Sequence, residues 1–179
     1  MATEDLDLKP RRTETRSFRF PARILESLDE EADRLKVSTN TLVSRLLTTY
    51  IEYDRHLNKF RLIKISSYTL GRLLLAPTEE EVVLSGNLAG ETMPKAYSLE
   101  KYGAFTLENL LKYIVEFSAN SGLYESSLII LNGKTNITLT HSFSKNASLF
   151  FATYYKRAFE LLGIATKMDL TDYSVSMQF

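Results

Sequence analysis

The spacing of apolar residues changes twice near the N-terminus of the chain. Over residues 15–20 polar side chains alternate with Phe18 and Phe20, and this period of two predicts a β-strand. Pro21 ends the alternation, and proline is well tolerated at the first position of a helix. Apolar residues then recur every three or four positions, which predicts one helix over about 21–35 and a second that runs to about Asn58. The two stripes consist of Ile24, Leu25, Leu28, Ala32 and Leu35, and of Leu42, Val43, Leu46, Leu47, Tyr50 and Ile51.

One strand and two helices from a single chain make an incomplete unit. A lone strand leaves its backbone N–H and C=O groups unpaired at both edges. The six apolar positions of the second helix exceed what the first helix alone can cover. Both deficits disappear when two chains pair their strands antiparallel and interlock their helices. The sequence therefore predicts a homodimer.

The same stretch carries a resemblance to a known family. The segment T-R-S-F-R-F-P-A-R-I-L-E-S-L, followed by a Ser/Thr/Asn-rich helix start, resembles the ribbon-helix-helix DNA-binding family of Arc- and MetJ-like proteins over about residues 15–53. The resemblance implies a swapped-strand dimer that places a two-stranded antiparallel ribbon in the major groove of double-stranded DNA. It implies base contacts from Thr15, Ser17 and Arg19, phosphate contacts from Thr39, Asn40, Thr41, Arg16 and Arg12, and a dimer core of Phe18, Phe20, Leu42, Leu46 and Tyr50.

Each of these features also has an ordinary structural interpretation. Six alternating residues are typical of any half-buried strand, and Ser-Thr-Asn-Thr before a helix is a common N-terminal cap. The implied contacts agree with the chemistry of recognition, since an arginine can bond guanine O6 and N7 together and a helix N-terminus favours an anion. The polar and charged composition of residues 1–14 predicts a flexible arm with acidic and basic residues. Within it, Arg11 and Arg12 either add phosphate contacts or belong to a frayed tail.

The remainder of the chain, residues 60–179, predicts a second domain with its own core. The predicted elements are helices over about 67–75, 77–90, 106–121 and 145–162, and strands over 127–131, 136–140, 165–170 and 173–178. The dipeptide Asn132-Gly133 indicates a tight hairpin between the first two strands. This order predicts an α+β domain whose antiparallel sheet is covered by helices on one face. Its aromatic last helix, with Tyr154 and Tyr155, serves either as core or as a dimer contact or ligand pocket.

Composition narrows the chemistry that such a chain can perform. The 179 residues include no cysteine, two histidines and seven glycines, which excludes disulfides, iron–sulfur clusters and thiolate zinc sites. His141 stands alone at a strand end, where a histidine is more often structural than a metal ligand. No nucleophile–base pair, phosphate-binding glycine loop or close carboxylate pair stands out. We therefore expect no catalytic residue, no metal and no cofactor.

Charge and hydropathy bear on partners and location. The net charge is zero, but basic residues cluster between Lys9 and Arg23, and such a patch can neutralise DNA phosphates. No run approaches the roughly 18–20 apolar residues of a membrane span, and the N-terminus lacks the apolar core of a secretory signal. We expect a soluble cytoplasmic protein with no membrane partner.

Taken together, these features predict a sequence-specific transcriptional regulator, with repression as the expected mode, that binds DNA as a homodimer. Residues 60–179 then act in oligomerisation, building a dimer or a higher oligomer, or answer a small-molecule or protein effector. The alternative is an antitoxin-type interaction protein that represses its own gene and binds a partner protein through its C-terminal domain. A third hypothesis is a DNA-organising or plasmid-maintenance protein with little sequence preference.

Overall fold

The computed structural model describes residues 13–61, 63–131 and 133–179, and the chain divides into two compact units, 1–46 and 47–179. The predicted arm over 1–14, including Arg12, therefore lies outside the described residues except for its last two positions. The predicted domain boundary between residues 59 and 60 stays a prediction.

The first unit contains both predicted helices, and its described residues, 13–46, form no strand in the single chain. Helix α1 spans Ala22–Arg34 and helix α2 spans Thr39–Thr49, so the helices predicted after Pro21 and after Ser38 are confirmed. Residues 13–21 are in neither a helix nor a strand. A strand requires a neighbour that accepts and donates its backbone hydrogen bonds, and the described part of one chain offers this segment none.

The two helices are joined by a tight turn at Lys36. This residue adopts a left-handed backbone with φ of 55°, and the N–H of Val37 donates to the carbonyl of Ala32 at 3.0 Å. This pattern closes a helix C-terminus and is most often made by glycine. Helix α2 continues without a break through a π-helical turn at Tyr50–Asp54 and further helical turns to Phe60, near its predicted end.

The second unit, residues 47–179, has four further helices. They are α3 (Ser67–Leu73), α4 (Glu79–Tyr102), α5 (Leu107–Ser121) and α6 (Lys145–Glu160). Polar caps fix where two of them begin: Thr78 and Glu81 form a reciprocal capping box at α4, and Thr106 accepts the N–H of Asn109 at α5. The predicted helices over 67–75, 106–121 and 145–162 are confirmed within a few residues at each end.

The prediction that the fourth helix ends near Gly90 is wrong, because α4 continues to Tyr102. Gly90 does not break the helix but lets α6 approach closely: a Cβ built on Gly90 would lie 2.2 Å from the carbonyl oxygen of Tyr154. The helix also passes through Pro94, which has no N–H to donate to the carbonyl of residue 90, four positions earlier. Tertiary contact has overridden the local signal for a helix end.

A four-stranded antiparallel sheet completes the second unit. Strands β1 (Glu125–Leu131), β2 (Lys134–Thr140), β3 (Lys167–Leu170) and β4 (Ser174–Gln178) lie in the order β1-β2-β4-β3. The predicted hairpin is confirmed, with Gly133 at a φ of 74° and Asn132 outside the described residues. Helix α6 packs on β4 and β3, and α5 packs on β1. Side chains on the covered face of the two central strands are buried, namely Ile137, Leu139, Val175 and Met177.

Candidate nucleic-acid interface

The three residues predicted to contact bases lie in the segment that precedes α1. Thr15, Ser17 and Arg19 are all exposed, and none of their side chains bonds to another described residue. Arg16 is also exposed, and its guanidinium lies 3.1 Å from the carboxylate of Glu14. An ion pair between two such exposed groups contributes little and is readily exchanged for another anion. Four of the five polar positions predicted between residues 12 and 19 are thus described and accessible, and Arg12 lies outside the described residues.

The start of α2, predicted to bind phosphate, is capped from within the chain. Ser38 accepts the backbone N–H of Thr41 at 3.1 Å, and the two hydroxyl oxygens lie 2.8 Å apart. The hydroxyl of Thr39 donates to the carboxylate of Asp29 on α1 at 2.6 Å. Of the three predicted residues, Asn40 alone makes no side-chain hydrogen bond to another described residue and is exposed.

Asp29 is the residue of this site that sequence reasoning missed. It belongs to the acidic face of α1, and nothing in its spacing distinguishes it from Glu26, Glu30 or Asp33. A carboxylate near a helix N-terminus is favourable within the chain because it faces the positive end of the helix dipole. The same negative charge repels an incoming phosphate. The first turn of α2 therefore offers the backbone N–H groups of residues 39 and 40, with a carboxylate beside them.

Large apolar side chains of the first unit remain open to solvent. Phe18 is 71% exposed and Leu46 is 54% exposed, whereas Leu42 is buried. Of the predicted dimer core, only Leu42 is covered within the described chain. The residues left at 40% exposure or more are Phe18, Phe20, Ile24, Leu25, Leu35 and Leu46, with Tyr50 further along the same helical run. Large apolar side chains exposed in such number over a short stretch of chain are typical of a surface that contacts a partner.

His141 in the second unit is held in a structural role. Its Nδ1 accepts the backbone N–H of Phe143 at 3.3 Å, so Nε2 carries the proton and donates to Ser148 Oγ at 2.9 Å. Burial lowers the pKa of His141, which keeps the ring neutral at physiological pH. A histidine that donates to a serine cannot activate that serine as a nucleophile.

The core of the second unit is rich in tyrosine. The hydroxyls of Tyr113 and Tyr154 lie 2.7 Å apart, and Tyr124 bonds to Tyr155 in the same way. Of the two interpretations of the aromatic helix, core packing therefore holds for Tyr154 and Tyr155, which are both buried. Burial raises the pKa of each of these four phenols.

Beside this core lies a nearly buried lysine. Lys101 bonds to Glu116 at 2.8 Å and to the backbone carbonyl of Glu52, and its ammonium lies 5.9 Å from the ring centre of Tyr97. A buried charge is tolerated when it is paired and hydrogen-bonded in this way. These contacts indicate that Lys101 stabilises the packing of α4.

Comparisons of the chain with models of known protein families, with curated proteins and with solved structures find no match. No helix in the described part of the chain has both the length and the apolar character needed to cross a membrane. Across the same residues, no three His, Asp or Glu side chains converge in a way that could hold a metal ion.

Proposed function

We propose that this protein is a transcriptional regulator that binds specific double-stranded DNA as a homodimer of the ribbon-helix-helix type. The observation that carries the proposal is the set of exposed apolar side chains in residues 13–46, together with the alternation of Phe and polar residues over 15–20. A single chain leaves both features without a partner among its described residues. A second copy supplies the missing apolar surface and the missing strand at once.

Pairing of the two segments over residues 15–20 separates their side chains by face. Alternate residues of a strand point to opposite sides, so Phe18 and Phe20 turn toward the helices of the dimer. Thr15, Ser17 and Arg19 then turn outward, where a two-stranded ribbon fits the major groove of B-DNA. Arg19 is the residue best suited to specify sequence, because its guanidinium can bond two acceptors of one guanine.

Phosphate contacts fix the register of such a ribbon on the duplex. The free N–H groups at the start of α2 and the exposed amide of Asn40 are suited to one phosphate, and Arg16 and Arg12 to others. Asp29 opposes this contact through its charge. We infer that the base contacts of the ribbon, rather than the helix start alone, provide the larger share of specific affinity.

The first experiment selects duplexes from a random pool with the full-length protein at near-physiological salt. We expect a single enriched motif, and a weakening of about 5- to 150-fold in affinity for it when Arg19 is changed to Ala, from the 1–3 kcal/mol of one bidentate arginine–guanine contact. The matched control is Arg34→Ala, since Arg34 is an exposed arginine at the far end of α1 that pairs with Glu31. An absence of enrichment, or equal losses in the two variants, overturns the proposal.

The antitoxin-type alternative is weaker on the observations at hand. An antitoxin tail is commonly extended until its partner protein binds, whereas residues 47–179 contain a closed core with Tyr97, Leu110, Tyr155 and Phe159 fully buried. That difference favours a regulator whose second unit is folded before any partner binds.

A further inference from the structure

Strand β1 lies at an edge of the sheet but has the sequence of a central strand. Its last four residues, Leu128–Leu131, are all apolar, although successive side chains point to opposite faces of the sheet. Continuous apolar runs are typical of strands covered on both faces. Here Ile129 is 57% exposed and Ile130 and Leu131 are each 68% exposed.

The opposite edge of the same sheet is built differently. Strand β3 has four residues, and charged Lys167 and Asp169 alternate with its apolar ones. Short length and charge are the usual protection of an edge against pairing with another strand. Strand β1 has seven residues in unbroken register with β2, without a proline or a bulge, and its only charge is Glu125 at the start. One edge is protected and the other is open.

The backbone of β1 is oriented for a further strand. In an antiparallel pair, alternate residues direct their N–H and C=O groups to one side and the others to the opposite side. The N–H of Ser126 donates to Ser118 Oγ on α5 at 2.8 Å, so this residue points away from β2. Leu128 and Ile130 share its parity, and their N–H and C=O groups therefore lie along the open edge.

We propose that β1 pairs antiparallel with β1 of a second copy of this chain, about a two-fold axis at Ile129. Leu128 then lies opposite Ile130 of the second copy, and these outward-pointing residues exchange four backbone hydrogen bonds across the axis. The two four-stranded sheets join into one of eight strands, and the apolar side chains that one copy leaves exposed cover those of the other. This inference goes beyond DNA binding and does not depend on it.

Charge favours a second copy over an unrelated strand. Glu125 begins β1, and Lys134 lies beside its end, at the start of β2. Six residues of strand, roughly 20 Å, separate these ends. Neither side chain forms an ion pair with another residue that the structure describes. Antiparallel pairing about Ile129 places Glu125 of each copy beside the turn between β1 and β2 of the other, which leads into its Lys134. Opposite charges that cannot meet within one chain therefore meet twice between two copies.

Disulfide trapping tests the register directly, because the chain has no cysteine of its own. Residues at a non-hydrogen-bonded antiparallel position lie about 4.5 Å apart between Cα atoms, within the range that a disulfide spans. Ile129→Cys in the full chain is expected to form a covalent dimer under mild oxidation. The matched control is Glu108→Cys, an exposed position at the start of α5. Equal yields from the two variants overturn the proposal.

Sedimentation of full-length variants separates this interface from the one proposed for DNA binding. Phe18→Asp disrupts the ribbon but alters a side chain that is mostly exposed in one chain. We expect this variant to remain a dimer at micromolar concentration, and Phe18→Asp combined with Ile129→Lys to be a monomer. The β1 interface is overturned if the Phe18→Asp variant is a monomer. It is also overturned if the protein forms open-ended aggregates that persist in the Ile129→Lys variant. If Ile129→Lys alone sediments as a monomer, the ribbon dimer fails and the β1 interface stands.

A charge exchange tests whether the occupant is a second copy. In the Phe18→Asp background, Glu125→Lys or Lys134→Glu alone removes both ion pairs of the dimer and is expected to weaken it by about two- to thirty-fold, the range of two exposed ion pairs. The double exchange restores it, since the same two charges meet again with their signs reversed. Failure of the double variant to recover contradicts the pairing.

Discussion

The two units of this protein treat their apolar residues in opposite ways. Residues 47–179 contain large side chains that are fully buried, such as Tyr97, Tyr113 and Phe159. In residues 13–46 only Ala32 and Leu42 are buried among the apolar residues, and both phenylalanines are substantially exposed. The second unit completes its core within one chain, whereas the first unit has the apolar surface of a core without the partner that would close it.

This difference indicates where the stability of each unit originates. Burial of apolar surface is the dominant favourable term in folding, and it contributes only where the surface is removed from water. The second unit gains that term on folding alone. In the proposed homodimer the first unit gains most of it on association, and its stability then depends on protein concentration.

Alkaline pH should affect the second unit most strongly. Burial raises the pKa of Tyr113, Tyr124, Tyr154 and Tyr155 above the ordinary value near 10, so these phenols stay protonated in the folded state while they ionise in the unfolded chain. The stability they contribute is present below about pH 10 and is lost as the pH rises further, at about 1.4 kcal/mol per pH unit for each phenol.

Urea unfolding followed by circular dichroism between about pH 8 and 11 measures this loss. We expect a flat free energy of unfolding below about pH 10 and a decrease of several kcal/mol within one pH unit above it. A free energy that stays constant to about pH 11 would show that the four phenols ionise without disturbing the core.

Gly90→Ala should be strongly destabilising for the second unit. Its Cβ would meet the backbone of Tyr154 at 2.2 Å, and a backbone atom cannot rotate away as a side chain can. We expect the close packing of α4 on α6 to be lost, with a cost of about 3 kcal/mol or more in the free energy of unfolding. Ser85→Ala, at an exposed position of the same helix, is the control. Equal and small effects from both substitutions would contradict the close approach.

The smallest expected effect concerns one residue in each unit whose backbone is left-handed. Lys36 in the first unit and Arg61 in the second have φ values of 55° and 52°, which are strained for any residue with a Cβ. Lys36→Gly and Arg61→Gly should each raise stability by up to about 1 kcal/mol. Differential unfolding of the two variants measures the gain, and a loss at either position would be the opposite of this expectation.

Local sequence signals predicted most of the fold. The helix starts predicted at residues 77 and 106 lie within two residues of the observed ones, because the capping chemistry of Thr78 and Thr106 acts within one turn. The hairpin at Asn132-Gly133 was located for the same reason. The end of α4 was predicted wrongly at Gly90, because the role of that glycine depends on Tyr154, more than sixty residues away along the chain.

The candidate interface was less accessible to sequence reasoning. The polar alternation of residues 15–20 is visible in the sequence, but whether it forms a strand depends on a partner that one chain lacks. The hydrogen bond from Thr39 to Asp29 is a contact between two helices, and no local pattern predicts it. The open edge at β1 was hidden for a related reason, since an apolar run does not reveal its place in a sheet.

The distribution of tyrosine along the chain also determines which part of the protein is fluorescent. All ten tyrosines lie at position 50 or beyond, and the chain has no tryptophan. Tyrosine fluorescence therefore comes from residues 47–179 alone, and residues 1–46 contribute none of it. Phe18→Trp would give the ribbon segment an emission of its own, separate in wavelength from that of the core. Folding of the second unit and assembly of the first could then be followed independently in a single sample.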